Sequence, residues 1–250
     1  MTKKIIIISF FCCAILPVTL RGEVVSNPFF ECVDITVHPA RMPLEEVRSI
    51  IAAYPSAIEL QKDIVLGLRN ESVAVRDRVL SFLSRVHTLH THVYRGEMIT
   101  EYEKIRMSID SPLIRAELRR INNKNTPINC DGFFCFRAKL DVMYLIRIYE
   151  LHQLFDIIYA NANHEEVRIR ISAYDAIGDV GKFNRRKAMI SLRRGLKDGG
   201  AYVSPFTTTG GFRGTSRVRE TAADACLKLG GRFRLMLWCH APDLRYKFFE

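Results

Sequence analysis

One stretch of the sequence, RVRETAADACLKLGG at residues 217–231, constrains the fold more than any other. Its small and branched side chains recur at helical spacing and its charged residues fall on the opposite face, which predicts an amphipathic helix. Gly230 and Gly231 follow at the position where a left-handed C-cap ends a helix. Such a helix cannot bury its alanine-rich stripe alone. It requires neighbouring helices of similar construction.

A second copy of this pattern lies upstream. The pair Val218-Arg219 is followed by alanines at offsets of four, five and seven, and the same offsets after Ile169-Arg170 again give small or aromatic residues. Weaker copies begin at three further positions: Val47, Val75 and Ile114. The sequence therefore predicts repeated helical units that are separated by loops of different length.

Helical periodicity predicts one helical domain over residues 44–240. Two long irregular loops, at 122–135 and 198–216, interrupt it, and we expect the second to be a mobile surface loop. Residues 23–43 contain three prolines and predict an extended N-terminal segment, and residues 241–250 predict an irregular tail. We expect an all-α fold.

Two local details add to this prediction. Residues 136–160 are apolar on almost every side, which predicts a single long buried helix. Asn163 and Glu166 predict a capping box at the start of the next helix. Ser111 and Asn184 are expected to cap the helices that follow them.

The N-terminus has the features of a secretory leader. Lys3 and Lys4 precede an apolar run from Ile5 to Leu16, which is shorter than the about 20 residues that a membrane span needs. The cleavage site is poor, so residues 1–22 are either a signal peptide or an uncleaved N-terminal anchor. We expect an exported protein that is periplasmic, secreted or anchored by its N-terminus.

The composition is strongly basic. The formal net charge is +10 and the pI is near 9.4, which favours acidic partners. Because the leader directs the chain out of the cytoplasm, an acidic protein is favoured over nucleic acid, with an anionic envelope polymer or lipid as an alternative. Arg186, Arg193 and Lys197 lie near one another on a predicted helix face and are the candidate binding residues, unless they form an ordinary solvated face.

A second candidate site lies in the loop before residue 217. Gly210 and Gly211 free backbone amides that run towards a helix N-terminus, beside Arg213 and Arg217, and such an arrangement could hold a phosphate or carboxylate. The alternative is a flexible connection between helices. Arg219 belongs to the repeat pattern itself, so we expect it to make structural contacts.

Cysteine usage and catalytic motifs give weaker signals. Cys130 and Cys135 flank a short loop and could form a disulfide in an oxidising compartment. Cys226 lies in the alanine-rich stripe and is expected to be a buried free thiol. No nucleophile, carboxylate pair or zinc-ligand spacing stands out, so we expect no enzyme activity, no cofactor and no metal.

At these repeats the chain resembles the family of HEAT-like repeats, of the PBS-lyase type. VRETAADACLKLG is similar to that family's VRxxAAxALG second-helix pattern, and IRISAYDAIGDVG resembles a second copy. The resemblance implies a right-handed α-solenoid of short antiparallel helix pairs whose concave face binds other proteins. We therefore expect a non-enzymatic interaction scaffold in the cell envelope. Some members are bilin lyases or base-excision glycosylases, so a lyase-type enzyme and an anion- or nucleic-acid-binding module remain alternatives.

Overall fold

The computed structural model describes residues 42–92, 108–109, 111–123, 133–207 and 213–244. These residues form ten α-helices and one β-hairpin. The helices are α1 (Leu44–Ala53), α2 (Ala57–Arg69), α3 (Val73–His92), α4 (Pro112–Asn122), α5 (Phe133–Ile148), α6 (Phe155–Asn161), α7 (Val167–Val180), α8 (Arg185–Gly195), α9 (Val218–Leu229) and α10 (Arg232–His240). The hairpin consists of β1 (Ala201–Thr207) and β2 (Arg213–Arg217).

The helices pack in two rows. In the odd row, α3, α5, α7 and α9 lie side by side in that order. The even row consists of α2, α4, α6, α8 and α10, and each of its helices except α10 packs against the odd-row helix that follows it in the chain. The prediction of an all-α fold is confirmed, with the hairpin as a local addition.

The alanine-rich stripe of α9 is the closest point of contact in the odd row. Ala222, Ala223 and Ala225 are fully buried where α9 meets α7. A Cβ atom placed on Gly178 of α7 would lie 3.1 Å from the Cα atom of Ala225, so the two backbones leave no room for a larger side chain. Small residues on both helices thus produce the close approach that the sequence predicts.

The odd row repeats one arginine arrangement. The Nη1 atom of Arg76 donates to the carbonyls six and five residues earlier, at 2.6 and 2.9 Å, and Arg170 does the same at 2.8 Å each. Arg219 of α9 instead pairs with Asp243. Arg76 and Arg170 thus fix the corners before α3 and α7. The weak copy at Ile114 lies in α4, an even-row helix, and is therefore not equivalent to the others.

Helix capping follows the prediction only in part. Ser111 caps α4, because its Oγ accepts a hydrogen bond from the backbone N–H of Ile114 at 3.3 Å. The prediction of a capping box formed by Asn163 and Glu166 is wrong. Glu166 lies just before α7, where its carboxylate accepts from Arg168 at 2.8 Å instead of reaching back to a helix N-terminus. Asn184 flanks α8 without a capping bond from its side chain.

The single long helix predicted for residues 136–160 is wrong. Helix α5 ends at Ile148, Glu150 adopts a positive φ of 50°, and a 3-10 turn over His152–Leu154 leads into α6. The reversal buries Leu151 as well as Leu154, and the apolar surface removed from water offsets the strained backbone at Glu150. It also moves the chain from the odd row to the even row.

The mobile loop predicted for residues 198–216 is also wrong where the structure describes it. Strands β1 and β2 pair in antiparallel fashion, with Ala201 opposite Arg217. The hairpin is closed at its base by a hydrogen bond of 3.0 Å from the N–H of Val218 to the carbonyl of Gly200. Residues 208–212 lie outside the described part. In the other predicted loop, Asn122 belongs to α4 and α5 begins at Phe133, and residues 124–132 are not described.

The core reaches both ends of the described chain. Met42 and Leu244 are buried, and the N–H of Met42 donates to Ser81 Oγ at 3.1 Å. The predicted leader, the segment before residue 42 and the end of the tail lie outside the described residues. The predicted pairing of Cys130 with Cys135 lies outside them too, because Cys130 is not described and only the backbone of Cys135 is. Among the helices that the structure does describe, none is both long and apolar enough to cross a membrane.

Candidate binding site

Four charged residues on neighbouring helices of the odd row neutralise each other. Arg147 of α5 pairs with Asp175 and, at 2.8 Å, with Asp179, both on α7. Lys228 of α9 lies 3.3 Å from Asp175 and 3.4 Å from Asp179. This network joins three adjacent helices and leaves little net charge on their surface. Its geometry indicates a structural role.

The even row is different, because α8 and its flanks are strongly basic. The segment from Lys182 to Lys197 contains seven basic residues and no acidic residue. Arg185, Arg186, Arg193 and Lys197 are exposed, and none of them forms an ion pair with any residue that the structure describes. The positive charge of α8 is therefore not balanced within the described part of the protein.

Part of this charge surrounds a cleft of about 790 Å³ between the start of α8 and the turn that joins α9 to α10. A volume of this size is typical of ligand sites. Its lining has a basic part, made of exposed residues that we call the rim, and an apolar part that we call the floor. The rim residues are Lys182, Arg185, Arg186 and Arg232, and the floor residues are Met189, Ile190, Leu229 and Phe233.

The wall of the cleft beside α10 is bare backbone. Gly230 and Gly231 both have positive φ, at 66° and 51°, at the predicted end of α9, but with ψ of −167° and −124° neither adopts the left-handed helical conformation, so the predicted left-handed C-cap is wrong. A Cβ atom added to either glycine would meet no other atom within 4 Å. Glycine is therefore needed here for the backbone conformation, and it also leaves the cleft open on this side.

A second cleft of about 620 Å³ borders the first and shares Lys182 and Leu229 with it. Its lining contains both signs of charge, from the network of Arg147, Asp179 and Lys228 described above. Lys182 also lies 3.8 Å from Glu150, and among the residues that the structure describes no other rim cation forms an ion pair. The uncompensated charge is concentrated in the first cleft, which we call the basic cleft.

The structure places the residues predicted from α8 at different positions. Arg186 lines the basic cleft. Arg193 is exposed about two turns further along α8 and Lys197 lies beyond its end, and neither lines the cleft. They belong to the same basic helix surface without sharing a pocket.

The predicted loop site is not assembled by the described residues. Gly210 and Gly211 lie outside them, and only the backbone of Arg213 is described, as the first residue of β2. Arg217 is exposed and lies 3.8 Å from Glu220, which partly neutralises it. No grouping of three or more histidine, cysteine, aspartate or glutamate side chains in the described part could hold a metal ion.

Three rim residues, Lys182, Arg185 and Arg232, were not predicted. The run of lysine and arginine from residue 182 gives a visible signal for the first two. Arg232 belongs to another helix, and only the turn at Gly230 and Gly231 brings it to the cleft. The apolar floor has no sequence signal of its own, since its side chains come from three helices.

Comparison with known proteins gives no match. No family model, no curated protein and no solved structure is significantly similar to this chain. The resemblance to HEAT-like repeats accordingly rests on the two sequence copies in α7 and α9. Function has to be argued from the charge distribution and the basic cleft.

Proposed function

We propose that this protein is an exported, non-enzymatic scaffold, built as a HEAT-like α-solenoid, which binds an acidic partner protein in the cell envelope. The two rows of helices and the repeated arginine arrangement support the solenoid, because each helix pair buries its apolar stripe only against its neighbours. The leader-like N-terminus supports export.

The observation that carries the binding function is the contrast between the two rows. The charged residues of the odd row form ion pairs, such as those of Arg147 and Lys228 with Asp175, whereas α8 and the residues after it expose Arg185, Arg186, Arg193 and Lys197 without acidic neighbours in the described part. Complementary charge steers partners towards each other and suppresses wrong ones. An acidic protein surface would supply the negative charge that α8 lacks.

The test is capture of envelope proteins on the immobilised full chain, followed by identification and purification of the captured protein. Binding should weaken as the ionic strength rises from about 0.1 M to about 1 M, because the screening length falls from about 10 Å to about 3 Å. The double variant Arg186→Gln/Arg193→Gln should lose the captured protein. The matched control is Arg48→Gln/Lys62→Gln, which removes two exposed charges from α1 and α2 and should retain it.

Two results would overturn the proposal. Equal capture by both double variants would remove the basis for recognition through α8. Turnover of a substrate by the purified chain, without any reproducible protein partner, would assign it to the enzyme class instead. Export is tested separately, by fractionating cells that express the chain with and without residues 1–22.

A further inference from the structure

Three of the four rim cations lie at helix N-termini, where a positive charge is expected to be unfavourable. Arg185 and Arg186 are the first two residues of α8, and Arg232 is the first residue of α10. Neither helix has an acidic residue in its first turn. The N-terminus of a helix carries partial positive charge, so a cation there is unfavourable and an aspartate or glutamate would be favourable. Stability therefore does not explain these arginines.

The floor of the cleft adds a second property. Ile190 is 38% exposed and faces the cleft together with the partly buried Met189 and Leu229, above the buried ring of Phe233. An apolar side chain that entered the cleft would remove this surface from water, which is favourable in proportion to the area covered. The cleft thus offers accessible apolar surface beside four cations.

The distribution of the rim charges selects the shape of the ligand. Lys182, Arg185 and Arg186 lie on the α8 side of the floor, and Arg232 lies on the α10 side. A ligand that satisfies both sides must carry negative charge on either side of its apolar group. An acidic peptide with one apolar anchor does so, whereas an anionic lipid carries its charge at one end only. Guanidinium groups also match carboxylates in bidentate geometry.

We propose that the basic cleft binds a peptide segment of the partner in which acidic residues flank a single apolar anchor side chain. The anchor contacts the floor at Ile190, Leu229 and Phe233, and the flanking carboxylates pair with the arginines of the rim. This proposal rests on the proposed function and specifies which part of the partner the scaffold recognises.

The binding experiment uses fluorescence anisotropy with the full chain and two labelled peptides. Both have a run of aspartates on each side of the central residue, which is phenylalanine in the anchor peptide and glycine in the anchorless peptide. The anchor peptide should bind at least about tenfold more tightly, since burial of an aromatic ring is worth more than the 1.4 kcal/mol that a tenfold change in Kd represents. Ile190→Asp should abolish this difference.

Charge-reversal variants locate the binding site. Arg186→Glu and Arg232→Glu should each weaken binding of the anchor peptide by about tenfold or more. The control Lys62→Glu makes the same charge change on α2 and should weaken binding by less than about twofold. Arg186→Glu should also raise the Tm by roughly 1–4 °C, because a glutamate suits the first turn of a helix. Loss of binding together with a higher Tm excludes unfolding as its cause.

The outcomes separate the two proposals. If both peptides bind equally and Arg193→Glu weakens them as much as Arg186→Glu, the basic surface of α8 binds acidic chains without the cleft, and only the present inference fails. If neither peptide binds but the envelope partner is still captured, the inference fails in the same way. If anionic vesicles or polyphosphate bind through Arg186 and Arg232 while the peptides do not, the ligand is not a peptide. Absence of all these interactions overturns both proposals.

Discussion

Gly195, the last residue of α8, lies where α8 contacts both α7 and α9. A Cβ atom at this position would lie 2.6 Å from two ring atoms of Tyr174 on α7 and 2.8 Å from the Cβ atom of Ala222 on α9. Tyr174 is 1% exposed, and its hydroxyl donates to the carbonyl of Ala162 at 3.3 Å. The ring therefore has little freedom to move away. We predict that Gly195→Ala destabilises the protein.

The size of the effect follows from two opposing contributions. Forcing a methyl group into a packed core costs about 1–3 kcal/mol. In Gly195→Ala the new methyl group would lie about 1 Å inside the normal contact distance from the ring of Tyr174. Alanine is favoured over glycine within a helix by up to about 1 kcal/mol. The net loss is about 1–2 kcal/mol, which lowers the Tm by roughly 2–8 °C in a chain of this size.

Thermal unfolding followed by circular dichroism measures this difference. The matched control is Gly199→Ala, because a Cβ atom at Gly199 meets no other atom within 4 Å, and its Tm should be unchanged or slightly higher. In a Tyr174→Leu background the ring atoms are absent, so Gly195→Ala should cost at least about 0.5 kcal/mol less. If Gly195→Ala unfolds at the same temperature as Gly199→Ala, the result contradicts the close packing of α7, α8 and α9 described around Gly195.

Two further predictions concern buried titratable groups. Burial alone would raise the pKa of Glu117, but hydrogen bonds from Arg120 at 2.8 Å and Arg69 at 2.6 Å outweigh it and hold the pKa below its usual value. The stabilisation from this carboxylate is therefore complete above pH ~4.5 and is lost as the pH falls through the lowered pKa. Glu117→Gln should destabilise the protein by about 1–2 kcal/mol at neutral pH, since the bonds to two charged partners weaken, and should flatten acid denaturation followed by fluorescence. An unchanged acid profile would contradict this. Burial also raises the pKa of the Cys226 thiol to about 12, whereas Cys239 is exposed. In the reduced native protein, Cys239→Ser should remove one thiol that reacts rapidly with Ellman's reagent. Cys226→Ser should remove no rapidly reacting thiol. If Cys226→Ser did remove one, α9 would not be packed as described.

The parts of the fold that the sequence predicts are those that depend on local periodicity. The stripe of α9 and its copy in α7 are visible because small residues recur at helical spacing, and both helices lie in the odd row. The break after α5 is not visible, since Glu150 adopts a positive φ without a glycine or proline to mark it. There the burial of Leu151 and Leu154 determines the path of the chain, and this depends on contacts with other helices.

The hairpin illustrates a different limit. Strand β1 contains aromatic and β-branched residues typical of strands, but glycines and threonines dominate residues 198–216 as a whole. The pairing of residue 201 with residue 217 depends on contact between two separate parts of the chain, which local sequence does not reveal. The basic cleft contains one residue that local sequence predicts and others that depend on contacts between helices. Arg186 is predicted from its own helix, whereas the contribution of Arg232 requires the turn at Gly230 and Gly231, which no periodicity reveals.

The base of the hairpin has a consequence for how the chain can change in length. Strand β1 begins a short segment after the end of α8 at Gly195, and β2 leads directly into α9. At the base of the hairpin, Gly200 accepts a hydrogen bond from Val218 and Ala201 pairs with Arg217. Gly200 also packs against the guanidinium of Arg170, where a Cβ atom would lie only 2.5 Å away. The path from α8 to α9 is therefore set by residues 196–200 and the paired base, and it does not depend on how many residues lie beyond that base. The distal end of the hairpin is a natural point for inserting a reporter peptide, because added residues there leave the spacing of α8 and α9 unaltered.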